Sequence, residues 1–177
     1  SNISKLLYQN ITKIYAVSNI KTAEFTKILE NVYRSINIGF VNEMKMISDK
    51  LNIDIFEVIS AAKTKPFGYV PFYPGPGLGG HCIPIDPYLL SWKAKKLNIN
   101  TRFIELSGEI NNHMPDYVSK KVINILTKNF KKANKKKLLI LGVSYKKNSA
   151  DTRETPSIKI IRNLEKKGFD IYVSDKY

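Results

Sequence analysis

Residues 22–51 read TAEFTKILENVYRSINIGFVNEMKMISDKL, the longest periodic stretch in a chain of 177 residues. Apolar Phe25, Ile28, Leu29, Val32, Ile36, Phe40, Val41, Met44 and Ile47 return at spacings of three and four. That is the period of an amphipathic helix, here of roughly 28 residues. Thr22 reads as its N-cap. A helix of this length serves as the spine of a bundle or of a dimer interface. The stretch therefore predicts a mainly α domain hung on one long helix.

Working outward, Ile11 to Val17 alternates in polarity and reads as a short strand. Asp54 to Ala62 reads as a second helix, with Asp54 as its N-cap. Lys63 to Pro87 is a long Pro/Gly-rich loop whose aromatics, Phe67, Tyr69, Phe72 and Tyr73, argue against disorder. Tyr88 to Leu97 reads as a third helix, with Asp86 as N-cap and Pro87 at its first position. Phe103 to Asn112 is helical, Met114-Pro115 ends it, and a further helix runs from Pro115 to Asn129.

The pattern then changes. Lys128 to Lys137 holds six lysines and reads as a solvated linker. Lys137 to Val143 (KLLILGV) suits a parallel strand buried on both faces. Thr155-Pro156-Ser157 opens a helix to about Lys167, with Gly168 just past its end, and Asp170 to Val173 is a second strand. This βαβ unit belongs to larger parallel sheets, and two strands alone make no stable sheet. The expected organisation is a tail or linker strand over 1–19, a central helical domain over 20–130, and the start of a Rossmann-like α/β domain over 131–177. A larger protein is expected to complete both ends.

With 43% hydrophobic and 25% charged residues, the composition is that of a globular domain. No run of 18 apolar residues exists, so no membrane span is expected. One cysteine excludes an internal disulfide and fits a cytoplasmic setting. The net charge of +14 points to a polyanion or to phosphate-bearing small molecules. No zinc spacing, RNA-binding signature or recognition helix supports a nucleic-acid partner.

The cysteine lies in Pro74-Gly75-Pro76-Gly77-Leu78-Gly79-Gly80-His81-Cys82-Ile83-Pro84-Ile85-Asp86-Pro87. Glycines admit a close ligand and prolines fix the path. A thiolate is a nucleophile, and a helix N-terminus or a cation favours it. Asp86 stands four residues on, able to accept a proton or orient water. Lys27, Glu30, Asn31 and Arg34 share one stripe of the long helix, and on spacing alone a solvated face is the better reading of them. The loop from Tyr145 to Ser157 follows a strand and precedes a helix, where open α/β sheets bind ligands. Its Lys146, Lys147 and Arg153 suit a diphosphate. It is not a G-x-G-x-x-G loop. His81 and His113 lack partners at metal-ligand spacing, so no metal is expected. In an extended segment His81 and Cys82 point apart, which leaves a cysteine hydrolase without its base.

The cysteine loop, Thr22-Ala23-Glu24 with Lys27 and Glu30-Asn31, and Lys146-Lys147 followed by Asp151-Thr152-Arg153-Glu154 together resemble the UDP-glucose/GDP-mannose dehydrogenase family. The resemblance runs in order along nearly the whole chain. The His-Cys-Ile-Pro form, with Phe72-Tyr73 before it, looks most like the bacterial branch acting on UDP-N-acetylhexosamines. The family oxidises a sugar C6 alcohol to a carboxylate with two NAD+. By resemblance, Cys82 forms a thiohemiacetal and then a thioester, Lys27 and Asn31 stabilise oxyanions, and Asp86 helps activate water. Tyr73, Leu78, Gly79 and Lys146 match substrate contacts, and Arg153 a residue near the NAD diphosphate. The resemblance also implies a homodimer through the long helix. It implies that the NAD-binding domain lies outside this chain, which alone would not turn over substrate. Asn148 and Ala150 depart from the aspartate and glycine common there.

Overall fold

The computed structural model describes residues 2–129 and 136–176. In order it contains α1 (Asn2–Tyr8), α2 (Ile20–Leu51), α3 (Ile55–Ala62), α4 (Cys82–Lys95), α5 (Arg102–Asn129), β1 (Lys136–Leu141), α6 (Pro156–Glu165) and β2 (Phe169–Ser174). The mainly α architecture with a long spine and one βαβ unit is the fold class that the sequence predicts.

The spine starts two residues before Thr22. Asn19 is the N-cap, and its Oδ1 accepts from the Thr22 amide at 2.9 Å. At the other end Asn52 takes a left-handed conformation, φ 56°, and its amide donates to the Ser48 carbonyl, a common helix stop. The inward face is not the large apolar one. Asn31, Ser35, Gly39 and Asn42 are buried at helical spacing, and they face α4 and α5. At Gly39 the α2 and α5 backbones come so close that a Cβ would lie 3.1 Å from the Ser107 Cβ. Phe25, Leu29, Phe40 and Ile47 remain largely exposed. Apolar packing is concentrated at the far end, where Val41, Ile55 and Ile59 meet Met44 and Phe72.

Four local readings are corrected. Ile11 to Val17 forms no strand; helix α1 precedes it, and residues 13–17 are irregular and mostly exposed. Alternation alone makes no strand where no neighbouring strand supplies a ladder, and the described residues hold a single sheet, β1 beside β2. The second correction joins two helices into one: α5 runs unbroken through Pro115. Proline there removes the donor for the Asn111 carbonyl. Burial of Met114 and Pro115 against neighbouring elements offsets that loss, and Ser119 Oγ donates to the Pro115 carbonyl at 2.7 Å.

Third, α4 begins at Cys82 rather than after Asp86. His81 already has helical dihedrals, φ −86° and ψ −36°, and makes no side-chain cap. Pro84 is tolerated because the first turn has no intrahelical donors to lose. Asp86 is therefore a helix-interior residue and not a cap. Fourth, β1 is covered on one face only. Leu138 and Ile140 are half-buried while Leu139 and Leu141 are exposed. The two strands run parallel, with Leu138 opposite Ile171 and Ile140 opposite Val173.

The βαβ unit is clamped to the helices. Asp116 of α5 accepts from Lys159 at 2.9 Å and from Asn163 at 2.8 Å, both on α6. Thr155 caps α6 and Gly168 takes φ 83° just beyond it, as the sequence predicts. The lysine-run linker falls largely on residues 130–135, outside those described.

Candidate active site

Three segments converge on one cavity of about 540 Å³, within the usual range for small-ligand sites. From α2 come Lys27, Asn31 and Arg34; from the glycine loop and the start of α4 come Leu78, Gly79 and Cys82; from the loop after β1 come Tyr145, Lys146 and Arg153. Of the stripe on α2, Lys27, Asn31 and Arg34 line the cavity while Glu30 does not; Asn31 is buried and the two cations are exposed towards the open space. Cys82 is exposed and free. As the first residue of α4 it stands where orphan helix amides favour negative charge. Four cations line the cavity and no carboxylate does. Lys27 and Arg34 make no hydrogen bond or ion pair within the described residues, so their charge faces the space.

Asp86 reaches the site indirectly. One helical turn after Cys82 it lies on the same face of α4, and it accepts from Asn31 Nδ2 at 2.5 Å. Asn31 is 3% exposed. Its amide orientation is therefore fixed by that bond. Asp86 is a partner of Asn31, which the sequence did not reveal. Tyr73 is not brought in: it lines no wall of this cavity and is half-exposed, whereas its neighbour Phe72 turns inward onto Tyr33, ring centroids 5.7 Å apart.

The glycine loop is held at its root and at its tip. At the root, Gly75 donates to Asn42 Oδ1 at 2.9 Å, Asn42 Nδ2 donates to Asn111 Oδ1 at 2.9 Å, and Asn111 Nδ2 donates to the Ser35 carbonyl at 3.1 Å. Asn42 is wholly buried, so these amides must satisfy one another. At the tip, the Gly80 amide donates to the Arg153 carbonyl at 3.0 Å. The loop after β1 is itself tied down, because Asp175 accepts from the Val143 and Ser144 amides at 2.7 and 3.1 Å. Glu154 in that loop has φ 50°, an uncommon conformation for a residue with a Cβ.

Arg153 is forked onto both carboxylate oxygens of Asp151, at 2.9 and 2.5 Å. The Arg153 hydrogen bonds hold the Asp151 carboxyl well below the usual carboxylate range, and Asp151 in turn raises Arg153. No group of three or more metal-ligating side chains exists among the described residues.

Beside this cavity, sharing Gly77 and Leu78 with it, lies a second of about 640 Å³ between α5 and α6, lined also by Asn112, Lys159 and Arg162.

Two family models match the sequence. Residues 21–113 fit the central domain of the UDP-glucose/GDP-mannose dehydrogenase family and residues 139–177 its UDP binding domain. The chain belongs to the UDP-glucose/GDP-mannose dehydrogenase family. Among relatives, it is 37% identical over 179 residues to a UDP-N-acetyl-D-mannosamine dehydrogenase of Methanocaldococcus jannaschii, covering 100% of this chain and 39% of the relative. It is 35% identical over 173 residues to a UDP-N-acetyl-D-glucosamine 6-dehydrogenase of Salmonella typhi, covering 97% and 40%. A solved structure of a UDP-D-ManNAc dehydrogenase from Pyrococcus horikoshii superposes with a TM-score of 0.86 at 30% identity, covering 99% of this chain and 41% of that one. The chain thus spans about two fifths of the length of the curated relatives it matches.

For this dehydrogenase-family chain the fit of the implied NAD can be tested on the residues described. Letter by letter, Gly75-Pro76-Gly77-Leu78-Gly79-Gly80 matches G-x-G-x-x-G. Among the described residues no strand precedes it, so the strand–turn–helix setting that gives the pattern its meaning is missing there. The described residues do not build a dinucleotide site; Arg153 is the one residue the family resemblance places near the cofactor.

Proposed function

We propose that this chain is the nucleophile-bearing and substrate-binding part of an NAD-dependent UDP-sugar 6-dehydrogenase, which oxidises the C6 alcohol of a UDP-N-acetylhexosamine to the uronate. One observation carries the reading: the only cysteine opens a helix in the wall of a cavity lined by four cations and no carboxylate. A nucleotide sugar brings two phosphate charges to such a place, and a C6 aldehyde offers the thiolate a carbon to attack.

In this reading the Cys82 thiolate adds to the C6 aldehyde, and the carbonyl oxygen becomes an oxyanion. Lys27 supplies positive charge there, and Asn31, with its orientation fixed by Asp86, supplies a hydrogen bond. By the family resemblance two NAD+ would serve as oxidant, one taking the C6 alcohol to the aldehyde before the thiolate adds and one taking the thiohemiacetal to the thioester after it. After oxidation the carbon is held as a Cys82 thioester. Water attacks it, Asp86 helps accept the proton, and the thiolate leaves. Leu78, Gly79 and Lys146 would contact the nucleotide sugar, while Arg153 is assigned to the cofactor diphosphate and Tyr73 to the substrate on resemblance alone. The uronate product is a building block for surface polysaccharide.

The test is Cys82→Ser in a full-length enzyme bearing this chain. With UDP-N-acetylmannosamine and UDP-N-acetylglucosamine as substrates, uronate measured by mass spectrometry is expected to vanish. An unchanged acid yield would sink the mechanism.

A second reading, of a module that pairs without turnover, is favoured by the exposed stripe of Phe25, Leu29, Tyr33, Phe40 and Ile47 along α2. Such a stripe fits a homodimer through the spine. Sedimentation of the chain is expected to give a dimer, and a clean monomer at micromolar concentration counts against it.

A further inference from the structure

Tyr145 is a residue to which neither the sequence motifs nor the proposed chemistry gives a task. It stands in the loop after β1 and lines the cavity with Cys82. It lies against two consecutive glycines. A Cβ on Gly79 would stand 2.6 Å from the Tyr145 Cβ, and one on Gly80 would stand 2.8 Å from its ring. Gly80 also has φ +81°, which suits glycine alone. The phenol ring therefore lies on a shelf made of bare backbone, two residues before the thiol. The ring also carries Lys146, whose Nζ lies 5.5 Å from its centroid, within cation–π range.

We propose that Tyr145 is a positioning residue: one ring, seated on Gly79-Gly80 and bearing Lys146, fixes the distance between the thiol of Cys82 and the cation that meets the nucleotide sugar. The backbone bond from Gly80 to Arg153 holds the tip of the glycine loop, but it sets no side chain's direction. The ring meets both the glycines that lead to Cys82 and the Lys146 ammonium. The hydroxyl is not needed, since the shelf and the cation meet the ring. The inference rests on the functional reading for Lys146 only; the seat of the ring on the glycines is independent of it.

Because Cys82 is the only cysteine, thiol reagents read its surroundings in the chain as it stands. The ratio of rates with the dianionic Ellman disulfide and with neutral iodoacetamide measures the positive charge around the thiol. Tyr145→Gly is expected to raise the iodoacetamide rate about fivefold, by freeing the loop, and to lower the ratio about threefold, by releasing Lys146 (threefold and fivefold being about 0.7 and 1 kcal/mol). Tyr145→Phe keeps both within about twofold of the parent. Gly79→Ala alone displaces the ring and imitates Tyr145→Gly. In the Tyr145→Gly background it adds less than about twofold, as coupled neighbours do. Far-UV circular dichroism checks the helices, and Tyr145→Leu replaces Tyr145→Gly if that variant loses them.

The proposal is overturned if Tyr145→Phe behaves like Tyr145→Gly, if Gly79→Ala and Tyr145→Gly multiply as independent sites, or if no variant moves either rate. Activity of the full-length enzyme is a separate readout. If Cys82→Ser leaves acid formation intact while the thiol rates behave as expected, the functional reading fails and the positioning role stands.

Discussion

The two ends of α2 make opposite use of charge. Near its start, Lys27 and Arg34 face a cavity and have no protein partner there, while Asn31 is held by Asp86. Near its end, Asp49 is enclosed by Lys45 at 2.7 Å, Lys121 at 2.6 Å and the Tyr117 hydroxyl at 2.5 Å. The far cluster has two cations, one anion and one hydroxyl, all satisfied within the protein. The near cluster is an excess of cations awaiting an anion. The same helix thus carries one closed network, which can only stabilise the fold, and one open network, which is available to a ligand. The difference is legible in the partners and not in the residue types, since both ends are rich in lysine.

The largest effect expected from this contrast is on turnover. In a full-length enzyme bearing this chain, Lys27→Ala is expected to lower kcat by about 10²–10³-fold, the usual cost of losing an oxyanion partner. Steady-state assays check it, with the denaturation midpoint expected to hold. Asp49→Asn is expected to leave kcat within about twofold. A loss of turnover with Asp49→Asn as large as with Lys27→Ala would erase the distinction between the two ends.

Stability should respond the other way round. Asp49→Asn leaves two lysines facing one another beside a group that can no longer take their charge. A cost of about 1–3 kcal/mol is expected from breaking a partly buried charged hydrogen-bond network, read by urea unfolding of this chain. Lys27→Ala should stay within about 0.5 kcal/mol, as surface changes do.

Acid sharpens the same contrast. Partial burial pushes the Asp49 carboxyl up, but hydrogen bonds from Lys121, Lys45 and Tyr117 outweigh it and hold the group well below the usual carboxylate range. A depressed folded value means stability that is present above the unfolded carboxylate value and lost as pH falls towards the folded one. Unfolding midpoints should therefore fall on acidification below about pH 4, the unfolded carboxylate range. Asp49→Asn should flatten that slope, and an unchanged slope would remove Asp49 from the account.

How far these features were readable in the sequence follows from what each depends on. The spine, the βαβ unit and the cap at Asp54 depend on local spacing and were read from it, whereas Thr22 was read as the spine's cap and Asn19 holds that place. The cavity brings together residues 27–34, 77–83 and 145–153, and no periodicity links segments so far apart; only the family likeness joined them. Asp86 looked like a cap because a Pro follows it, but Pro84 is equally compatible with a first turn, so the helix began at Cys82. Pro115 looked like a stop because proline usually is one; the burial of Met114 that outweighs it is tertiary. Asp49 carried no signal at all, since a carboxylate four residues after a lysine is ordinary on any helix. Arg34 was visible at i+7 from Lys27, and Tyr145 was visible only as one member of a loop.

The smallest expected effect concerns Tyr117, and it tests the closed network from its alkaline side. Burial first, and then the hydrogen bond and charge of Asp49, push its hydroxyl up to about 12 from the model-compound value of 10.0. A raised folded value means stability that is complete below the unfolded value and lost as pH rises through the folded one. Between pH 10 and about 12 the unfolded chain gives up the phenol proton while the folded chain keeps it. Tyr117→Phe should cost about 1 kcal/mol at neutral pH, one hydrogen bond to a charged acceptor, and it should remove part of the alkaline slope. The comparison is between parent and variant at each pH and not with a flat line. If the two curves stay parallel from neutrality to pH 12, the hydroxyl does not belong to the network, and Asp49 is held by its lysines alone.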